Sequence, residues 1–509
     1  MSEKVTSIGL KGMEGYRVNV EVKSLVGVES VVIVGLPDAS VKESKDRIMA
    51  SLHSLGYSLA ERRIIISLSP SEQKKNGPMF DLAMALCVLV STQELNVKIP
   101  SHTGFIGALS LHGEIQPVEG MLPAVLSAKK LGLTRLYMPF DERLPILDFK
   151  ELEIVYVSTL HEVIDHLSGK EIPQIISQPK EEEMLVSTID FQQIIGHSYA
   201  KTALEVAAAG EHHLLMTGPP GCGKSMLAES FPSILPPLSR EPQLEMISLY
   251  QLSGLTYPHV KLPPYRNPHH SASGVSIVGG GQYPKPGEVS LAHRGVLFLD
   301  EIAEFSKKTL DMLRQPLETG SVTISRTQAT IKYPASFILV AAMNPCPCGY
   351  SGSNTHYCSC SPKQILAYQN KLSGPLRDRF DIFLSLKPVD LKVSEEKRIE
   401  LSEEVRKRVE EARRRQYDRY GKEICNSRVQ YETILKTSPL TTNQQRTLQQ
   451  VGSKRNWSNR TQIKIIKLAR TISDLQGSKL ITDRSIWEAI QLNQRPSGKN
   501  RIENVTGWF

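Results

Sequence analysis

The sequence predicts an α/β protein in which a parallel, phosphate-binding sheet is preceded by an α+β domain and followed by a helical domain. Three observations support this prediction. Short apolar strands alternate with helices through the middle of the chain, which is typical of a buried parallel sheet. A glycine-rich loop of the phosphate-binding type follows the first of these strands. After residue 388 the strand patterns stop and long helical patterns begin.

The composition is that of a globular protein with several domains, because 509 residues exceed the roughly 100–200 residues of one domain. The N-terminus has no apolar signal segment, and no apolar run reaches the roughly 18 residues that a membrane helix needs. We therefore expect a cytoplasmic protein without a membrane partner. The net charge of +8 is concentrated in residues 451–503, where eleven Lys or Arg accompany four acidic residues. This cluster of positive charge is typical of a DNA-binding face, and a solvated helix surface would explain it equally well.

Residues 1–168 form the predicted front domain. Its segments VNVEV, ESVVIVGL and RRIIISL are rich in β-branched residues and predict strands, whereas ASVKESKDRIMASLHSLG and FDLAMALCVLVSTQEL have helical spacing. Residues 169–187 are polar and contain proline, as expected of a linker. We expect the nucleotide-binding core over residues 188–390, and the helical domain with a loose tail over residues 391–509.

Residues 218–225, the phosphate loop, have the sequence GPPGCGKS, which matches G-x-x-x-x-G-K-[ST] between a strand and a helix. Backbone N–H groups of such a loop surround phosphate oxygens at the positive end of the helix dipole. We expect Lys224 to reach the β- and γ-phosphates and Ser225 to bind Mg²⁺. The predicted nucleotide-binding residues are Gly218, Pro219, Pro220, Gly221, Cys222, Gly223, Lys224 and Ser225.

Two further strands end in polar residues that suit nucleotide hydrolysis. GVLFLDE ends in Asp300, a candidate for the Mg²⁺ shell, and Glu301, a candidate general base for the attacking water. The next strand, SFILVAAMN, ends at Asn344, which would point at the same water and γ-phosphate; a purely structural asparagine is the alternative. The pattern predicts hydrolysis of ATP, with GTP as the less favoured substrate.

Arginines are candidates for stabilising charge on the γ-phosphoryl group. LRDRFDIFL contains Arg377 and Arg379 before an apolar strand, and Arg460 opens the helix SNRTQIKIIKLAR. An arginine on the far side of a subunit would serve its neighbour's site, which implies a ring.

The segments GPPGCGKS, FLDE, AAMNPCPCG, DRFD and SNRTQIKIIKLAR together resemble the AAA+ module of the magnesium-chelatase-like group. Over essentially its full length the chain resembles the YifB/ComM family, whose most characteristic block is similar to residues 266–301. The resemblance implies that Asn344 is sensor 1, Arg379 the arginine finger and Arg460 sensor 2 in a helical lid, with Arg377 as the alternative finger.

The front domain resembles the C-terminal fold of Lon protease. The protease carries its serine where this chain has Met79, in KKNGPMFDLAMAL, and its lysine where this chain has Ala124. A Ser–Lys pair needs a hydroxyl nucleophile and an amine base, and neither residue supplies one. We therefore expect a non-proteolytic domain used for assembly or substrate binding.

LETGSVTISRTQATIKYP predicts a hairpin whose turn is Thr327-Gln328. In ring motors that resemble this chain, a hairpin at this position projects into the central channel, so Arg326 and Lys332 are candidates for DNA phosphate contacts. A plain surface hairpin is the alternative. The glycine-rich segment 279–281 is a candidate second pore loop, and for the pair His269-His270 we favour a loop or hydrogen-bonding role over a metal site.

Four of the seven cysteines form two C-x-C pairs within residues 346–360, which we call the cysteine knuckle. Four thiolates suit tetrahedral Zn²⁺ in a structural site, and His356 is a possible substitute ligand. Free thiols and a redox switch are the alternatives. The predicted zinc ligands are Cys346, Cys348, Cys358 and Cys360.

These observations predict an ATPase that works as a ring, as a hexamer, with ATP, Mg²⁺ and structural Zn²⁺ as cofactors. The family resemblance implies a DNA motor that acts on branched or single-stranded DNA and drives branch migration in recombination during natural transformation. Three alternatives remain: a chelatase-type motor subunit, disfavoured by the front domain; an ATP-dependent protease, disfavoured by Met79 and Ala124; and a non-hydrolysing scaffold, disfavoured by Lys224, Asp300 and Glu301.

Overall fold

The computed structural model describes residues 4–145, 149–173, 189–257, 261–281, 284–326, 329–353, 356–389 and 400–495. Contacts divide the chain into two compact units. The first comprises Met1–Met184, Arg240–Pro258 and Ser325–Tyr333, and the second comprises Leu185–Ser239, His259–Ile324 and Pro334–Phe509. Segments 240–258 and 325–333, which the sequence-based boundaries assign to the nucleotide-binding core, therefore group with the front domain. Most of the predicted linker lies outside the described residues, as does the predicted tail after Arg495.

The front domain is a mixed sheet with helices. Its strands are β1 (Lys4–Lys11), β2 (Glu14–Val26), β3 (Ser30–Val34), β4 (Arg62–Ser69), β5 (Thr103–Phe105), β6 (Ala108–Leu109), β7 (Ile115–Gln116), β8 (Arg135–Met138) and β9 (Glu153–Tyr156). Its helices are α1 (Ala39–Ser54), α2 (Asp81–Ser91), α3 (Met121–Lys130) and α4 (Leu160–Leu167). Seven strands pair in the order β3-β4-β2-β1-β5-β8-β9. The three predicted strands and two predicted helices are confirmed, and the apolar helix α2 is buried from Asp81 to Leu89 because it packs under β1 and β2.

The middle of the chain alternates strands and helices, as predicted. The strands are β10 (Leu214–Thr217), β11 (Tyr265–Arg266), β12 (Gly279–Gly280), β13 (Lys285–Pro286), β14 (Val296–Leu299), β15 (Ser321–Arg326), β16 (Ala329–Pro334), β17 (Ile338–Met343) and β18 (Ile382–Ser385). The helices are α5 (Ser198–Gly210), α6 (Lys224–Ser230), α7 (Arg240–Leu252), α8 (Gly274–Val278), α9 (Glu288–Leu291), α10 (Lys307–Met312), α11 (Arg314–Thr319), α12 (Pro362–Gln369) and α13 (Gly374–Arg377).

Five of these strands form one parallel sheet in the order β11-β14-β17-β10-β18. The strands are short and apolar because both faces of the sheet are covered; β14 and β17 are buried along their whole length. Since β17 lies between β14 and β10, the residues that follow these three strands meet at the carboxyl edge of the sheet. The fold-class prediction, a parallel α/β sheet behind a mixed α+β domain, is confirmed.

The C-terminal part is helical and shares the core of the parallel sheet. It comprises α14 (Ser402–Tyr420), α15 (Tyr431–Thr437), α16 (Thr442–Arg455), α17 (Asn459–Leu475) and α18 (Asp483–Leu492). Helices α14 and α17 pack on α5, and their apolar residues Val409 and Leu468 join the same cluster as Leu214 and Phe298 of the sheet. No helix among the described residues is long and apolar enough to cross a membrane.

A buried charge network holds the helical part together. The carboxylate of Asp474, fully buried on α17, accepts hydrogen bonds from Arg470 Nη2 at 2.8 Å, Arg419 Nη1 at 3.0 Å and Asn426 Nδ2 at 2.9 Å. Arg470 is also fully buried and donates to the carbonyl oxygen of Lys479 at 3.0 Å. Removing one partner from such a network leaves an uncompensated charge in the core.

We predict that Asp474→Ala destabilises the helical part by about 3–5 kcal/mol, because two arginines lose their buried counter-ion. Tryptophan fluorescence during thermal unfolding measures this change, since all three tryptophans of the chain follow residue 450. The matched control is Arg484→Ala, which removes an exposed pair with Glu488 on α18 and should cost at most about 1 kcal/mol. Equal melting temperatures for the two variants would contradict the prediction.

Candidate nucleotide site

The phosphate loop connects β10 to α6 and turns at two glycines. Gly221 and Gly223 have φ of +75° and +85°, in the left-handed region that strains any side chain. Gly223 is the N-cap of α6, so the first N–H groups of this helix face the loop at the positive end of the helix dipole. The Cys222 side chain is buried, and burial raises the pKa of its thiol, so the residue offers the loop its backbone and an uncharged side chain.

Lys224 is only 9% exposed, and its ammonium group is held by oxygens of the loop and of the neighbouring strand end. Its Nζ donates to the carbonyl oxygens of Gly218 at 2.8 Å and Pro219 at 2.9 Å, and to Asn344 Oδ1 at 3.1 Å. All three acceptors are neutral oxygens, so the positive charge is available to an anionic ligand such as a phosphate. The structure thus brings Asn344 to the phosphate-loop lysine.

Ser225 and Asp300 also meet at this edge. Ser225 Oγ donates to Asp300 Oδ2 at 3.0 Å, and the backbone N–H of Glu301 donates to Asp300 Oδ1 at 2.8 Å. A hydroxyl and a carboxylate are the hard oxygen ligands that Mg²⁺ prefers, so the two residues fit the predicted magnesium shell.

Glu301 follows Asp300 in a left-handed conformation, with φ of +47°. This conformation is unusual for a glutamate and interrupts the extended backbone of the strand. The Glu301 side chain is 53% exposed. His270 Nδ1 lies 3.8 Å from Glu301 Oε2, and the His270 ring contacts that of His269 at 4.1 Å. The histidine pair therefore adjoins the candidate general base, a relationship that the sequence did not indicate.

Sequence reasoning also missed the segment before α5. His197, with φ of +60°, places Nε2 3.6 Å from the position of a Cβ on Gly223, and Val389 packs against Gly196. Ile195 and Met226, which stand next to Gly196 and Ser225 in the sequence, are 52% and 40% exposed although apolar. Exposed apolar side chains near a phosphate site suit the flat base of a nucleotide. In the sequence, only Gly196 and His197 directly before α5 could have indicated that this segment lies beside the phosphate loop.

The candidate arginines lie at the other edge of the sheet. Arg379 Nη2 lies 2.7 Å from Glu318 Oε2, and Arg460 Nη2 lies 3.7 Å from Glu318 Oε1. The Arg379 side chain is 14% exposed and that of Arg460 is 52% exposed. One carboxylate thus holds both guanidinium groups.

Both arginines line a cavity of about 690 Å³. Its lining includes His213 and Asp381, which directly precede β10 and β18, and Ser336, two residues before β17. The cavity therefore lies at the amino edge of the parallel sheet. None of its described lining residues comes from the phosphate loop. Burial lowers the pKa of His213 to about 3, so this ring stays neutral and accepts a hydrogen bond from the Leu339 N–H. The lining also contains the basic residues Arg294, Lys422, Arg428, Lys464 and Lys467.

The two arginine-finger candidates of the segment LRDRFDIFL, Arg377 and Arg379, have different surroundings in the structure. Arg377 donates through Nη2 to the carbonyl oxygen of Gln369, and burial lowers the pKa of its guanidinium. It does not belong to the described lining of the cavity, whereas Arg379 does. The geometry therefore groups Arg379 with Arg460 and leaves Arg377 in a backbone contact.

The four cysteines of the knuckle come together. Their sulfurs lie within 4.8 Å of one another, with Sγ–Sγ distances of 3.3 Å for Cys346–Cys348, 3.7 Å for Cys346–Cys358 and 3.5 Å for Cys348–Cys358. Zn–S bonds of about 2.3 Å in a tetrahedron put sulfurs about 3.8 Å apart, so the cluster fits zinc with a small expansion. His356 stacks on Tyr350 at 4.7 Å, outside the group of four sulfurs.

Met79, at the position of the Lon serine, lies near the start of α3, the helix that carries Ala124 at the position of the Lon lysine. Met79 Cε lies 3.8 Å from the position of a Cβ on Gly120, the N-cap of the helix that carries Ala124. Met79 is 5% exposed and Ala124 is fully buried. Neither side chain carries a hydroxyl or an amine, so the domain lacks the groups for Ser–Lys chemistry at these two positions.

The candidate DNA residues are only partly described. β15 and β16 pair as the predicted hairpin and Lys332 is exposed, but the turn at Thr327-Gln328 and the Arg326 side chain lie outside the described residues. Of the nine basic residues in 451–495, six are exposed, whereas Arg470 is buried and Lys464 and Lys467 donate to backbone carbonyl oxygens. The sequence count of positive charge therefore overstates the basic surface.

Three family models match consecutive parts of the chain. The model described as Subunit ChlI of Mg-chelatase matches residues 20–142, Magnesium chelatase, subunit ChlI, matches residues 190–394, and Magnesium chelatase, subunit ChlI C-terminal, matches residues 399–493. Lon protease of Clostridium beijerinckii is 25% identical over 182 residues, which cover 34% of this chain and 22% of the protease. The match agrees with a Lon-like front domain.

Relatives of full length are also found. Competence protein ComM of Haemophilus influenzae is 38% identical over 488 residues, covering 94% of this chain and 95% of ComM. YifB of Escherichia coli, whose function is uncharacterised, is 36% identical over 486 residues, covering 94% of each chain. The identity, its extent and the site geometry agree, and the chain belongs to the YifB/ComM family of magnesium-chelatase-like AAA+ proteins.

Proposed function

We propose that this protein hydrolyses ATP with Mg²⁺ at the carboxyl edge of its parallel sheet. The observation that carries the proposal is the set of direct hydrogen bonds that joins Lys224 to Asn344 and Ser225 to Asp300. These contacts bring a phosphate-binding ammonium, a magnesium-binding pair and an amide to one place. Membership of an AAA+ family indicates ATPase activity for the same module.

Each residue at this edge has a separate task in the proposed reaction. Lys224 and the loop N–H groups bind and orient the phosphates, and Ser225 with Asp300 would hold Mg²⁺, which supplies charge neutralisation between the phosphates. Glu301 takes the proton of the attacking water as general base. Asn344, in contact with the phosphate-binding lysine, orients the water and detects the γ-phosphate.

We propose that Arg379 and Arg460 act on the ATP of a neighbouring subunit in a ring, as arginine finger and sensor 2. The support is their position: the pair lines a cavity at the amino edge of the sheet, opposite to the phosphate loop of the same chain. A head-to-tail ring brings the amino edge of one subunit to the carboxyl edge of the next. The AAA+ family supports an oligomeric assembly, for which we propose a hexamer.

We propose DNA as the substrate of the motor, with branch migration of branched or single-stranded intermediates in recombination as its task. The support is the name of the relative ComM, a competence protein, together with six exposed basic residues in 451–495 and the hairpin that carries Arg326 and Lys332. A motor that remodels a protein partner is the second candidate, since the matching family models describe a magnesium chelatase subunit.

We propose that Cys346, Cys348, Cys358 and Cys360 bind one structural Zn²⁺. The support is the mutual approach of the four sulfurs. Four sulfur ligands close the coordination shell, so the metal has a structural task.

Glu301→Gln should retain ATP binding but lose about 10²–10⁴-fold in hydrolysis rate, because the amide cannot accept the proton of water. Phosphate release and binding of a fluorescent ATP analogue measure the two properties.

In the wild type, four-way or forked DNA should stimulate ATP hydrolysis, and duplex DNA should stimulate it less. If branched DNA neither binds nor stimulates, the DNA proposal fails while the ATPase proposal stands.

Arg379→Ala and Lys224→Ala should each be inactive alone but regain activity when mixed. In a random ring, about one quarter of the sites then combine an intact phosphate loop with an intact neighbouring arginine. ATPase activity of mixtures, assembled under conditions that allow subunit exchange, measures the recovery. The control mixes Arg379→Ala with the double variant Lys224→Ala/Arg379→Ala, which supplies no arginine and should give no recovery. Equal rates in both mixtures would show that Arg379 does not act across subunits.

The purified protein should contain about one zinc per chain. Metal analysis after gel filtration measures the content, and Cys358→Ser should reduce it because a hydroxyl is a poor zinc ligand. Less than about half an equivalent in the wild type, with the thiols reduced, would rule out a stable zinc site.

A further inference from the structure

The cysteine knuckle contacts the phosphate loop directly. A Cβ on Gly349 would lie 2.7 Å from Pro220 Cδ and 2.8 Å from Pro220 Cγ, so the backbone at Gly349 packs tightly against the proline ring. Gly349 also has φ of +86°, and its N–H donates to the Cys346 carbonyl at 3.0 Å, which closes the turn between the first two cysteines. Only glycine combines this conformation with this approach.

The ends of the knuckle are also tied to the nucleotide site. It begins two residues after Asn344, and α12 follows directly after Cys360, with a capping box at Ser361. From this helix, Gln369 Nε2 donates to the Pro345 carbonyl at 3.2 Å. Tyr368 forms a hydrogen bond with the Asn344 backbone. Both chain ends are therefore fixed beside the asparagine that contacts Lys224.

Between these fixed ends, the knuckle has little apolar packing of its own. Cys346 is fully buried, but the other three cysteines are only half-buried and Tyr357 is 91% exposed. Cys346 Sγ accepts the Ser351 N–H at 3.2 Å, and Tyr350 stacks on His356. Bonds from four sulfurs to one metal would supply the cross-links that a hydrophobic core supplies elsewhere.

We propose that the knuckle is a metal-stabilised brace for the phosphate loop, in which the contact between Gly349 and Pro220 couples metal binding to nucleotide binding. The inference rests on the proposed zinc and nucleotide sites. Zinc holds the turn at 346–349 in one shape, and this shape limits where Pro220 and the following loop N–H groups can lie. Loss of the metal frees the turn, and the loop then has to be ordered by the nucleotide, which weakens binding.

Coupling of this kind is reciprocal: if zinc raises the affinity for ATP by some factor, ATP raises the affinity for zinc by the same factor. Couplings between two sites are typically about 5–150-fold. Two independent measurements on the unmodified protein therefore report one quantity. These are the affinity of the zinc-loaded and zinc-free chain for a fluorescent ATP analogue with Mg²⁺, and the affinity for zinc with and without that nucleotide.

A matched pair of glycine variants tests the contact itself. Gly349→Ala adds a methyl group against Pro220, whereas Gly352→Ala adds one at the similar φ of +79° with nothing within 4 Å. Both variants carry comparable backbone strain, so the difference between them isolates the contact. We expect both to retain zinc, and Gly349→Ala to bind the ATP analogue about tenfold more weakly than Gly352→Ala. Equal affinities in the two zinc-loaded variants would overturn the proposal.

Removal of the metal ligand Cys358, which lies outside the contact with Pro220, provides the second test. Cys358→Ser should lose zinc and bind the ATP analogue at least about fivefold more weakly, whereas Cys87→Ala, in the core of the front domain, should change neither. Wild-type nucleotide affinity in the zinc-free variant would overturn the coupling. Absence of zinc from the wild type would overturn the zinc site instead, and failure of the zinc-loaded wild type to bind the analogue would overturn the nucleotide site.

Discussion

The order of strands in the parallel sheet is the constraint on which the nucleotide site depends. β17 pairs with β14 on one side and β10 on the other, so the chain ends of three strands that are far apart in sequence meet at one edge. Two hydrogen bonds, Lys224–Asn344 and Ser225–Asp300, span these ends. Because the buried strands are apolar on both faces, the polar residues lie at the strand ends, where they contact one another.

The same order separates the two halves of the proposed reaction. The residues proposed to bind phosphate follow the strands, and residues that line the arginine cavity precede them. A single chain therefore carries a phosphate-binding edge and an arginine-bearing edge that face in opposite directions along the strands. Glu318 meanwhile keeps the two guanidinium groups together as a pair, and pairing with a carboxylate offsets the cost of holding Arg379 largely out of water.

The cysteine knuckle is a small polar segment that packs against a loop far away in the sequence. Its cysteines follow Asn344 closely, so their position is set by the strand that supplies the candidate sensor. Fixing both ends at Pro345 and α12 leaves the turn at Gly349 as the part that meets the phosphate loop. The front domain shows the opposite case, since the apolar residues Met79 and Ala124 stand where a reactive pair would be and leave a packed core.

Sequence alone determined the local elements and the identity of the polar residues that follow the strands of the proposed nucleotide site. Apolar strand patterns and the phosphate-loop motif depend on neighbouring residues, so they could be predicted, as could the polar residues at the strand ends. Only the tertiary structure decided which residues meet across long separations. It grouped Arg379 with Arg460 and separated Arg377, removed Arg470 from the basic surface, placed His270 beside Glu301 and brought Gly349 to Pro220. The physical reason is that such contacts follow from packing and strand order, which no short stretch of sequence encodes.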